Sequence, residues 1–109
     1  PLPDQTCFLC QQCAEKYLKA LLEELTLTIP YTHILKDLLM LLLPHHPSLA
    51  SHRRGLTFLT RFAVDTRYPG ENASKRQATA SLRWAARVRD MCRSLLGMRP
   101  WRSRRKKTP

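Results

Sequence analysis

The sequence predicts an all-α, up-and-down bundle of about four helices, and three observations predict it. Apolar residues recur at three- and four-residue spacing in four separate stretches, the signature of helices with one buried face. No stretch alternates apolar and polar residues as a half-buried strand does. The breakers Pro30, Pro44, Pro47, Pro69 and Gly70 fall between the periodic stretches, where short connections are needed. The chain has 109 residues, 43% of them hydrophobic, which suffices for one small core and one domain.

The first helix is expected from about Gln5 to Leu25. Cys7, Cys10, Ala14, Tyr17, Leu18, Leu21, Leu22 and Leu25 share one face, and Gln12, Lys16, Lys19 and Glu23 the other. Glu15 stands four residues before Lys19, the favourable order for a helix ion pair. Asp4, just after Pro3, is expected to cap the start. Thr26 to Tyr31 reads as a connector. Thr32 is then expected to cap a second helix carrying Ile34, Leu35, Leu38, Leu39, Leu41 and Leu42, which Pro44-His45-His46-Pro47 ends.

A third helix is expected from near Ser48 through Leu56, Phe58, Leu59, Phe62 and Ala63, with Gly55 inside it at a cost of about 1 kcal/mol against alanine. That cost is explained either by a close helix contact or by a break. Asp65 to Asn72 reads as a corner with Tyr68-Pro69-Gly70 as its turn chemistry. The last helix is expected from about Ser74 to Leu96, with Ala78, Leu82, Ala85, Val88, Met91, Cys92, Leu95 and Leu96 toward the core. Arg76, Arg83 and Arg87 cluster on its opposite side, and Gly97 is a natural stop. The division is therefore a bundle over 1–97 and a basic tail over 98–109.

Charge narrows the function classes. Net charge is +11, and the tail supplies Arg99, Arg102, Arg104, Arg105, Lys106 and Lys107, which leaves +5 on the rest. Such a balance favours an anionic partner, most often nucleic acid. A solubility face mixes signs, whereas Arg76, Arg83 and Arg87 have only Asp90 nearby. Trp101 among Arg102, Arg104, Arg105, Lys106 and Lys107 adds a stacking surface to phosphate neutralisation. Stripe and tail together are the expected nucleic-acid contact, without sequence specificity. The longest apolar run, Leu38 to Leu43, is too short to span a bilayer. No basic-then-apolar leader is seen, so the expected location is the cytoplasm, with four reduced cysteines.

Cys7-x-x-Cys10-x-x-Cys13 has the spacing that opens some iron–sulfur and zinc sites. Those ligands usually sit on loops or knuckles. Here all three lie mid-helix on or beside the apolar face, where free cysteine packs as a small hydrophobe. No metal and no cofactor are expected. His45 and His46, between prolines, read as solvated loop residues.

Three pieces carry a resemblance. Gln11-Gln12-x-x-Glu15-Lys16-x-x-Lys19-Ala20-Leu21-Leu22, then Thr32-His33-Ile34-Leu35 with Asp37-Leu38-Leu39, then Asp65-Thr66-Arg67-Tyr68-Pro69-Gly70 resemble the helix signatures of the HEPN family in the same order. The resemblance covers Cys7 to Gly97. It implies a small helical bundle with one further helix before the Gln-Gln-x-x-Glu-Lys helix; either the bundle lacks that wall or the residues shown begin after it. It also implies a homodimer and a partner, a minimal nucleotidyltransferase encoded nearby, in a toxin–antitoxin-like pair.

Many HEPN proteins are metal-independent endoribonucleases with an Arg-x(4–6)-His motif at the end of the third helix. Imidazole supplies an acid and a base near neutrality, and the arginine holds the phosphate. In this chain the four histidines, His33, His45, His46 and His52, all precede the first arginine, Arg53, so that motif cannot occur. Arg61, Asp65, Arg67 and Tyr68 stand in its place. Two arginines can clamp an anion and Tyr68 can stack or donate. Asp65, its carboxylate favoured by both arginines, orients them rather than moving protons. The same residues equally suit a purely structural corner. His33, just inside a helix start beside a capping threonine, suits a structural role; the resemblance places it among the family's recurrent positions facing the neighbouring helices, and so in this expected nucleotide site. The expected function is a non-catalytic module that binds nucleotide or RNA and pairs with a protein. The alternatives are an endoribonuclease with an atypical site and a structural dimerisation module.

Overall fold

The computed structural model describes residues 2–63 and 72–98. Within them the chain forms four α-helices, α1 (Pro3–Glu24), α2 (Leu35–Leu42), α3 (Arg53–Thr60) and α4 (Lys75–Leu95), with a 3-10 helix at Pro47–His52 leading into α3. No strand occurs among the described residues. The all-α bundle is as expected from periodicity.

α1 buries Cys7, Cys10, Ala14, Leu18, Leu21 and Leu22, the face read from the sequence. It ends in a Schellman arrangement: the Leu27 N–H reaches the Leu22 carbonyl at 2.9 Å and the Thr26 N–H reaches that of Glu23 at 2.9 Å. Thr26 takes the left-handed conformation this requires, at φ +56°. Asp4 does not cap α1. Its Oδ1 accepts the Ala73 N–H at 2.6 Å, a bond that pins the start of α1 to the approach to α4.

α2 begins at Leu35, later than Thr32 suggested. The Thr32 hydroxyl accepts the Ile34 N–H at 3.1 Å, holding the approach, but the Leu35 N–H is satisfied by the Thr60 hydroxyl, also at 3.1 Å. A residue distant in sequence thus fixes the start of this helix. The third predicted helix divides into the 3-10 stretch and α3. Inside α3, Gly55 is a close contact and not a break: a Cβ there would fall on the Trp84 ring of α4. The cap of α4 is complete, since the Ser74 hydroxyl accepts the Gln77 N–H and the Gln77 amide accepts the Ser74 N–H, each at 3.0 Å. Gly97, at φ +77°, closes its end.

Side-chain bonds fix the helix directions. Asp4 meets Ala73, Ser81 meets Cys7 and Arg93 meets Tyr17, so α1 and α4 run side by side in the same direction. The meetings of Ser48 with Met91 and of Gly55 with Trp84 run α3 against α4. α2 and α3 form an antiparallel hairpin closed at Leu35 and Thr60. Alternation therefore holds from α2 to α4, while α1 and α2 point the same way. The connector 25–34 runs back along α1 between them, far enough for His33 to meet Gln11 and Glu15.

The core is leucine-rich: Leu18, Leu21, Leu22, Leu35, Leu38, Leu39, Leu42, Leu49, Leu56 and Leu59 are fully buried with Val88. The α1–α4 contact is instead made by small side chains, Cys7, Cys10 and Ala14 against Ser81, Ala85 and Cys92. Leu82, expected in the core, is 57% exposed.

Candidate functional site

Of the residues expected to hold an anion, Asp65, Arg67 and Tyr68 lie outside the described residues. Arg61 follows α3 directly and is exposed, its guanidinium 4.9 Å from the centre of the Phe58 ring, with Phe62 edge-on to Phe58 at 5.5 Å. The Thr60–Leu35 bond brings Arg61 to the same end of the bundle as His33.

His33 is engaged elsewhere. Its Nδ1 lies 3.0 and 3.2 Å from the two Glu15 oxygens, and its carbonyl accepts the Gln11 amide at 3.1 Å. Gln11 also donates to Glu15 at 3.0 Å, Gln12 donates to Gln11 at 2.7 Å, and Lys19 closes the set on Glu15 at 2.9 Å. The Gln-Gln-x-x-Glu motif is thus a buried polar network that ties the connector to α1. Gln11 is fully buried and Glu15 nearly so. Burial pushes the Glu15 carboxyl up, but bonds from Lys19, His33 and Gln11 outweigh it and hold the group below its ordinary value. Sequence reading found the Lys19 pair and missed the rest. The signal was two polar residues, Gln11 and Glu15, placed i and i+4 beside the apolar stripe.

The arginine stripe is where the spacing put it. Arg76, Arg83 and Arg87 are exposed on α4, and the Arg87 guanidinium stacks 5.1 Å from the Trp84 ring centre. Trp84 is the ring that Gly55 admits, so α3 and α4 meet beneath this stack. His52 is buried next to it, with no hydrogen-bond partner at either ring nitrogen; burial, then the Arg87 charge, hold its pKa below the ordinary histidine value. Arg53 and Arg54, exposed, open α3. The charge is segregated along the chain. Up to Leu43 there are five acids against Lys16, Lys19 and Lys36. From Pro44 to Met98 the described residues hold Arg53, Arg54, Arg61, Lys75, Arg76, Arg83, Arg87, Arg89 and Arg93 against Asp90 alone, and Asp90 is paired with Arg89 at 2.9 Å. The tail residues Trp101, Arg102, Arg104, Arg105, Lys106 and Lys107 lie outside the described residues.

The cysteines are packing groups. All four are free thiols, and Cys7 Sγ accepts the Ser81 hydroxyl at 3.4 Å. Burial first, then the neighbouring thiols Cys7 and Cys13, pushes Cys10 up to about 11. Burial, then Cys13, pushes Cys92 up to about 12. Neither is a nucleophile near neutrality. Among the described residues, no group of three or more His, Cys, Asp or Glu side chains is arranged to hold a metal ion. Nor is any helix among them long and apolar enough to cross a membrane.

These features define a small all-α helical domain whose exposed cations are concentrated beyond Pro44. A family model, the HEPN domain, matches residues 2–95. The chain belongs to the HEPN domain family. No curated protein and no solved structure is matched.

Proposed function

We propose that this chain is a non-catalytic HEPN module that binds nucleotide or RNA and pairs with another protein. The observation that carries the reading is the segregated charge of the α3–α4 half, with an arginine stacked on tryptophan at its centre. Cations neutralise phosphates and the stacked pair offers a flat surface to a base. The partners that fit a HEPN module are a second copy of the chain and a minimal nucleotidyltransferase. Arg61, with Asp65, Arg67 and Tyr68 beyond it in sequence, forms the second anion-binding point. His33 contributes its half-exposed ring at that end of the bundle, oriented by the contact of its Nδ1 with Glu15.

The test is labelled RNA incubated with the purified protein in EDTA, beside Arg67→Ala and the double variant Arg83→Ala/Arg87→Ala. The expected result is intact RNA, retarded at low salt and released at high salt, with retardation weakened in the double variant. Cleavage that Arg67→Ala abolishes in a folded protein overturns the reading in favour of an endoribonuclease. RNA neither retarded nor cut leaves a structural dimerisation module.

A further inference from the structure

His52 is 9% exposed, and neither Nδ1 nor Nε2 of its ring has a hydrogen-bond partner. A neutral imidazole carries one N–H donor and one lone pair, so burial of this kind costs stability at both nitrogens. The helix register says what lies beside the ring. α3 runs against α4, with Ser48 meeting Met91 and Gly55 meeting the Trp84 ring. His52 stands between Ser48 and Gly55, which sets it level with Arg87 and Val88. Val88 is fully buried in the core. Arg87 is exposed, with its guanidinium 5.1 Å from the centre of the Trp84 ring. A buried proton site therefore lies against an arginine that stacks at the surface.

The groups around the ring decide how that proton site behaves. Three elements pack against the 3-10 stretch that His52 ends: α2, α3 and α4. α4 faces the ring with Arg87, whose positive charge adds to burial in favouring the neutral imidazole. The acid of α4, Asp90, is paired with Arg89 at 2.9 Å. α3 brings Arg53 and Arg54, both exposed. α2, joined to α3 in antiparallel at Leu35 and Thr60, comes level with His52 at the apolar Leu42 and Leu43. The turn beyond carries His45, exposed, and His46, whose Nε2 is also buried without a partner. No carboxylate bonds to the His52 ring. A phosphate at Arg87 changes this balance, because its negative charge cancels the arginine's field at the ring. We infer that Arg87 and His52 form a proton-coupled phosphate site, at which a nucleic-acid phosphodiester held by Arg87 binds together with a proton on His52. The inference rests on the nucleic-acid half of the proposed function and adds its regulation, tighter binding as pH falls. By linkage, whatever factor the phosphate adds to proton affinity, the proton adds to phosphate affinity. Burial still opposes the charged ring, so the coupling is several-fold and no larger. The phosphate need not touch the ring; His52 is a positioning residue that acts through Arg87.

The probe is a rhodamine-labelled oligouridylate of about 12 nucleotides without a terminal phosphate, which carries no group that titrates between about pH 8 and about pH 5.5. Anisotropy at constant ionic strength is expected to show wild-type affinity rising over that fall in pH by ~5-fold more than the affinity of His52→Gln. The comparison removes the contributions of His33, His45 and His46, which both proteins share. In an Arg87→Gln background, His52→Gln is expected to make no difference to the pH profile. His46→Gln is expected to keep the wild-type profile. The direct reading is the His52 ring signal in NMR of the wild-type chain, whose titration midpoint is expected to move to higher pH when the oligouridylate is bound. A midpoint that stays or falls overturns the coupling and leaves nucleic-acid binding in place, as do parallel pH profiles for wild type and a folded His52→Gln. A difference that survives Arg87→Gln, or one that His46→Gln removes, also overturns it. Oligouridylate bound at no pH in the range breaks the nucleic-acid reading itself, and the coupling with it.

Discussion

Thr26 takes the left-handed conformation that ends α1, at φ +56°, where a β-branched side chain is strained. Thr26→Gly is expected to stabilise the fold by about 0.5–1 kcal/mol, the relief of strain exceeding the entropy lost by glycine. Urea denaturation at pH 7 measures it; a lower midpoint contradicts the assignment. His52 is a second residue that costs stability, because its ring nitrogens are buried without partners. His52→Leu is expected to be at least as stable as wild type at pH 7, by about 1 kcal/mol. The sign of the pH effect follows from the depressed pKa: the unfolded chain binds the proton more readily, so stability is full above the ordinary value of 6.5 and falls as pH drops through the folded one. The gap between His52→Leu and wild type should therefore widen between pH 7 and pH 5, and a constant gap refutes it. Glu15 has the same sign at lower pH, below its ordinary 4.5. Of this the sequence showed only the Glu15–Lys19 pair and the placement of Gln11 and Glu15 beside the apolar stripe. Gln11 and Glu15 have the spacing of any polar face, and only the returning connector, with His33 at its end, buries them.

At the scale of elements the sequence was read well wherever periodicity alone decides. The Cys7 to Leu22 face of α1, the Ser74 start of α4 and its stop at Gly97 followed from local spacing and cap chemistry, whereas Ile34 and Leu41, grouped with the apolar residues of α2, are exposed. The errors fell where a distant residue decides. The Thr60 hydroxyl sets the start of α2, and Asp4 spends its carboxylate on Ala73 rather than on its own helix. Leu82 looked like core by period, but the small residues beside it leave it as a wall of an open groove. Gly55 shows two effects of opposite sign on one element. Alanine raises helix propensity by about 1 kcal/mol over glycine. The added Cβ, however, has no room against the Trp84 ring. Gly55→Ala is accordingly expected to destabilise by about 2 kcal/mol in the wild-type background, overpacking outweighing propensity. In a Trp84→Ala background the same change is expected to be neutral or stabilising. Thermal unfolding of the four proteins gives the coupling, and a Gly55→Ala cost that survives the loss of Trp84 rules out the contact as its cause.

For the molecule as a whole the question is whether charge acts by amount or by place. A chain at +11 attracts nucleic acid non-specifically wherever its cations lie, whereas the stripe of Arg76, Arg83 and Arg87 is one particular place for that contact. The charge is segregated along the chain: among the described residues five acids precede Pro44, and beyond it Asp90 alone stands against the arginines of α3 and α4. Two double variants remove the same charge from different places. Lys16→Gln/Lys36→Gln takes it from exposed positions on α1 and α2, Arg83→Gln/Arg87→Gln from the stripe on α4. If net charge governs binding, both weaken RNA retardation alike. If the arginine face is the contact, the second pair alone loses two phosphate contacts, lowering the salt slope by about 1.4 and the affinity ~10-fold at low salt, while the lysine pair stays near wild type. Retardation titrated over a range of salt concentrations separates the cases. Equal slopes for the two pairs would reduce the arginine stripe to background attraction.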